Sequence, residues 1–106
     1  MNETYIPKVN MAVLWDVARE RERQDEKWGE QNHDQYLWLA ILGEEVGEAC
    51  QAALNIEFES YEGLEQNRVR VEKYRDELIQ VAAVAVAIVE CLDRNGGSRG
   101  DQLPEG

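Results

Sequence analysis

Tyr36-Leu37-Trp38-Leu39-Ala40-Ile41-Leu42-Gly43-Glu44-Glu45-Val46-Gly47-Glu48-Ala49-Cys50-Gln51-Ala52-Ala53-Leu54-Asn55 decides the fold class. Leu37, Ile41, Leu42, Val46, Ala49 and Ala53 recur at helical spacing over about five turns, without proline or a hairpin signal. At about 100° per residue, Glu44, Glu45 and Glu48 fall within one arc of roughly 100°. Leu37 and Ile41 precede them in that arc and Ala52 follows. Three carboxylates thus stand inside an apolar stripe, where each would be costly to desolvate alone. A cation should offset them, and a metal ion is the obvious candidate.

Outward from this helix the pattern stays helical. Met11, Val13, Leu14, Val17 and Ala18 predict a first helix that continues through the charged run Arg19 to Lys27. That run reads as a solvated surface, or as a place where Arg21, Arg23 or Lys27 reaches a phosphate. Trp28 to Asp34 breaks the pattern: Gly29 and the Asn/Asp cluster indicate a loop, with Asp34 as N-cap of the next helix. Trp28 offers a stacking face, and Asn and Gln side chains suit a base edge. Alternatively, Trp28 closes the end of the core and His33 caps a helix. Residues 56–67 read as a polar, irregular connector broken at Gly63, with room for a short helical turn. A long last helix is expected from about Arg68 to Asp93. Within it, residues 81–89 are only Val, Ala and Ile, so nearly every face is apolar, which predicts burial on several sides and a subunit interface. Asn95, Gly96 and Gly97 end it, and residues 95–106 read as a disordered tail on a domain spanning 1–94.

Charge and composition limit the functions available. The chain has 106 residues, 22 acidic against 11 basic, for a net charge of −11. Such a surface repels nucleic-acid backbones and anionic membranes, so neither is expected as a partner. Neither a signal peptide nor a membrane span is expected. Cys50 and Cys91 lack metal-ligand or redox spacing and read as buried free thiols of a cytoplasmic protein.

The last helix adds its own polar group on an apolar face. Glu77 shares the side of Val81, Val84 and Ile88, and Gln80 lies about 60° away. Residues three apart on a helix are neighbours, so Glu45 with Glu48 and Glu77 with Gln80 would meet if the two helices pack antiparallel. Hard oxygen ligands suit Mg²⁺ or Mn²⁺. Ion pairing to Arg70 or Arg75 is the competing explanation. No Lys or Arg stands three or four residues from Glu44, Glu45 or Glu48.

Glu44-Glu45-x-x-Glu48 followed by Glu77-x-x-Gln80 resembles the EExxE…ExxD signature of the MazG-like all-α nucleoside triphosphate pyrophosphohydrolases. Lys27-Trp28-Gly29-Glu30-Gln31-Asn32-His33 is similar to the Trp…His loop that precedes the first metal helix in that family. The likeness runs from about Glu22 to Leu92. It implies an all-α antiparallel bundle, completed by oligomerisation as a homodimer or homotetramer. The implied activity is Mg²⁺-dependent hydrolysis of a nucleoside triphosphate to monophosphate and pyrophosphate. By the same resemblance Glu45, Glu48, Glu77 and Gln80 are the metal-ligand positions. Glu44 and Glu45 are catalytic acids, with Glu44 ligating a metal or orienting water, and Lys27, Trp28 and His33 lie on the substrate. Gln80 departs from the family aspartate and removes one negative charge. A non-catalytic nucleotide binder or a structural helical oligomer of the same fold is the alternative.

Overall fold

The computed structural model describes residues 8–58 and 63–96. They form three helices: α1 (Met11–Trp28), α2 (Gln35–Phe58) and α3 (Leu64–Arg94), with no strand among the described residues. Local chemistry sets the ends. Asn10 caps α1 by accepting from the Ala12 amide at 2.9 Å. At the other end Gly29 takes φ 74°, a left-handed conformation open to glycine, and its N–H returns to the Asp25 carbonyl at 2.8 Å. Asp34 accepts from the Leu37 amide at 2.9 Å, as an N-cap does.

The connector is shorter than the sequence reading of 56–67. Residues 56–58 continue α2 and 64–67 begin α3, because no breaker stands between Asn55 and Phe58, and Gly63 with φ 119° is where the helix starts. Polar composition alone did not stop either helix. The expected disorder of the tail concerns residues that lie, from 97 onward, outside the described set.

α3 is the element against which both others pack, while the backbones of α1 and α2 stay apart among the described residues. The loop between α1 and α2 is tied to the end of α3. Arg94 donates to the Gln31 carbonyl at 3.0 Å and to Asn32 Oδ1 at 2.9 Å, and pairs with Glu30 at 3.2 Å. The start of α2 therefore meets the end of α3, and the two run antiparallel. α1 is held to α3 by Asp16–Arg75 at 2.8 Å and Arg21–Glu90 at 2.7 Å.

The core is narrow and built largely from small side chains. Ala49, Ala52, Ala83, Val84 and Ala87 are buried, with Ala83 wholly so, which lets α2 and α3 approach closely. Trp38, Ala87 and Cys91 form its larger end, with Ile41 and Ile88 packed on them. Within 81–89, Ala85, Val86 and Val89 remain exposed, so the single chain buries one side of this segment rather than several. Cys50 is exposed, correcting the expected pair of buried thiols; Cys91 is buried and both are free. The radius of gyration is 17.6 Å, against about 13 Å for a compact domain of this length. No described helix is long and apolar enough to cross a membrane.

Candidate metal centre

Antiparallel packing of α2 on α3 puts residues 45–48 opposite residue 77. One carboxylate oxygen from each of Glu45, Glu48 and Glu77 lies within 4.8 Å of the other two. Their environments differ. Glu77 is only 4% exposed, Glu45 is half-buried and Glu48 is open to solvent. Two oxygens, Glu45 Oε1 and Glu77 Oε1, are buried without any hydrogen-bond partner. Buried carboxylate oxygens are normally satisfied, so this pair is an energetic debt for the folded chain. Burial pushes the Glu45 carboxyl above its ordinary pKa, and the negative charges of Glu48, Glu77, Glu20 and Glu44 push it further. The donor set fits a hard divalent cation: three carboxylates, two of which each carry a buried oxygen without a partner, at separations that one ion with bonds of about 2.1–2.6 Å can draw together.

Glu20 is a member of this electrostatic neighbourhood that sequence reading missed. It stands on α1, with its side chain mostly buried and paired with Arg23. Spacing along one helix cannot reveal an acid delivered by another. Lys73 was missed as well: its Nζ lies 2.7 Å from Glu77 Oε2. The rule that cleared Glu44, Glu45 and Glu48 of a basic neighbour four residues away finds Lys73 when applied to Glu77. The guanidinium of Arg75, the competing counter-ion for the acids, pairs instead with Asp16.

The remaining expected residues are distributed around the trio. Glu44 is exposed and outside the converging group of three. Gln80, one turn after Glu77, lines a cleft of about 560 Å³ together with Glu20, Arg23, Lys27 and Trp28. Lys27 lies over the Trp28 ring, 4.7 Å from its centroid, and Trp28 is 56% exposed, so it does not plug the core. His33 is elsewhere. Its ring meets Trp38 edge-on at 4.8 Å, and it borders a separate, mostly apolar cavity with Ile88, Cys91 and Asn95. Trp28 and His33 therefore do not share one pocket in the single chain. Arg21 turns inward, bonded to Glu90 and Asp25. Burial disfavours its charge, but those two carboxylates outweigh burial and hold its pKa above the ordinary value.

Comparison of the chain with protein-family models, with curated proteins and with solved structures finds no match in any of the three.

Proposed function

We propose that the chain is a Mg²⁺-dependent hydrolase that splits a nucleoside triphosphate into the monophosphate and pyrophosphate, of the MazG-like all-α type. One observation carries this reading. Glu45, Glu48 and Glu77, picked out by their resemblance to EExxE…ExxD, bring carboxylate oxygens within 4.8 Å of one another across two helices, and Glu45 and Glu77 each carry a buried oxygen without a partner. A bound divalent cation would supply charge neutralisation for the triphosphate and acidify a water. Glu45, Glu48 and Glu77 would hold it, and Gln80 would add a neutral carbonyl at the edge of the cleft. Glu44 is the exposed acid beside the trio and would orient the attacking water. Lys27 and Arg23 on the cleft wall suit phosphate oxygens, and the exposed Trp28 ring suits a base. His33, bordering its own cavity, would join the substrate only from the far side or from a neighbouring protomer. An oligomer working in the cytoplasm completes the proposal.

The test is direct. Incubation with Mg²⁺ and a panel of ribo- and deoxyribonucleoside triphosphates should release pyrophosphate, and Glu48→Ala should reduce the rate by about a hundredfold, the upper end of what losing a ligand's supporting partner costs. Absence of pyrophosphate with every nucleotide would overturn the reading. Binding without hydrolysis has one specific observation behind it: Gln80 supplies no charge where the family signature has an aspartate. Nucleotide-dependent thermal stabilisation without product would favour that second reading.

A further inference from the structure

Lys73 touches the acidic trio from outside. Its Nζ lies 2.7 Å from Glu77 Oε2, its side chain is 65% exposed, and Glu77 is among the buried residues. The ammonium is carried on a flexible stem that ends in water, so it can leave the carboxylate without disturbing the packing of α3. One positive charge against three carboxylates also leaves the group electrostatically incomplete, as the partnerless Glu45 Oε1 and Glu77 Oε1 show.

We propose that Lys73 is a resident counter-ion of Glu77 that a divalent cation displaces. In the metal-free protein the ammonium shields a buried carboxylate; when the ion binds, Lys73 swings into solvent. The alternative, an ion on Glu77 Oε1 with Lys73 still on Oε2, would hold charges of +2 and +1 within about 5 Å of one another. With the ion in place the net charge of the trio facing the ammonium falls from −3 to −1, and an exposed pair that contributes little even at full charge no longer offsets the entropy of holding a lysine side chain. Exchange is therefore favoured over coexistence, and part of the intrinsic affinity for the ion is spent on ejecting Lys73. This inference rests on the metal-binding part of the proposed function, and goes beyond it by assigning a residue that sets how tightly the ion is held.

Calorimetric titration of the full chain with Mg²⁺ alone and Mn²⁺ alone tests it. Lys73→Met should bind the ion tighter than the wild type, by up to about fivefold, the upper range of an exposed pair. Arg75→Met removes the same charge from the same helix without touching the trio, and should change affinity by less than about twofold. Thermal melts add a second signature. Without metal, Lys73→Met should melt below the wild type; at saturating metal the gap should close, because Lys73 no longer contacts Glu77 in either protein. A purely structural salt bridge would leave the gap open at both. Should Lys73→Met fail to fold, Lys73→Gln, which keeps a hydrogen-bond donor without the charge, is read in its place. Affinity unchanged or weakened in the Lys73 variant, or raised equally by Arg75→Met, overturns the exchange while leaving the metal site standing. If neither wild type nor variant binds either ion, the exchange falls together with the metal reading. Binding by the variant alone would be its strongest support.

Discussion

Glu45 is the residue at which sequence, burial and charge meet. Its carboxyl is pushed above the ordinary range, first by burial and then by the neighbouring acids. The folded chain therefore holds the Glu45 proton more tightly than the unfolded chain does. The stability this contributes is complete below the ordinary carboxylate pKa and is lost as pH rises through the raised value. In metal-free protein, Glu45→Gln should accordingly melt a few degrees above the wild type at neutral pH, with the difference shrinking towards pH ~4, where both side chains are uncharged. Added Mg²⁺ should raise the wild-type melting temperature and leave Glu45→Gln almost unchanged. Equal melting curves across the pH range would show that Glu45 is no more strained than a surface acid. The acids themselves were legible in the sequence because charged residues repeating on an apolar helical face are conspicuous against their own neighbours. Glu20 was not, since only tertiary packing carries an α1 side chain to Glu45. His33 and Trp28 were grouped because they are five positions apart in sequence; the loop's attachment to Asn95 and Arg94 turns His33 towards Trp38, while Trp28 stays on the cleft side.

Helix existence was readable almost throughout, and helix ends were readable where a side chain or a glycine marks them. Asn10, Gly29, Asp34 and Gly63 all sit at the boundaries of the observed elements. Residues 56–58 and 64–67 misled because the polarity around them reads as a loop, whereas Glu and Gln are good helix formers when exposed on one side. Asp34 has the larger consequence, since it opens α2, the helix that carries Glu45 and Glu48. Asp34→Ala removes the acceptor for the Leu37 amide and should cost about 1 kcal/mol of stability, measurable by urea unfolding. Its unfolding slope should be unchanged, since the cap lies at one end of the helix and the amount of surface buried hardly alters. Asp34→Asn, which keeps an accepting oxygen, should recover most of the loss. A full cost in both variants would place the effect outside the cap.

On the scale of the whole molecule, the outstanding feature is apolar surface without cover. α1 and α2 each pack on α3 while their own backbones stay apart, and the described chain is far more extended than its length requires. On α2, Leu39, Val46 and Leu54 repeat at helical spacing along an exposed side that also carries Gly43 and Cys50. On α3, Leu78, Val86 and Val89 do the same. Isolated exposed leucines are ordinary, but an apolar stripe repeated at helical spacing on each of two helices is of the kind that marks association. The extended shape points the same way: with a radius of gyration of 17.6 Å, these helices bury less surface than a compact domain of this length would, and burial is what offsets conformational entropy. Sedimentation or light scattering should therefore give a mass that is a multiple of the 12.2 kDa protomer, and the melting temperature should rise with protein concentration. Leu54→Glu tests which face is responsible. Leu54 is 49% exposed in the protomer, so a glutamate there costs the isolated fold little. In an assembly built on the α2 stripe, however, it would bury an unpaired charge, at a cost of several kcal/mol per protomer, and should shift the mass to 12.2 kDa. Retention of the wild-type mass by Leu54→Glu would move the interface to the α3 stripe, where Val89→Glu is the corresponding change. A wild-type chain that sediments as a monomer, with melting independent of concentration, would mean that three loosely packed helices are stable by themselves, and the oligomeric part of the proposed function would fall.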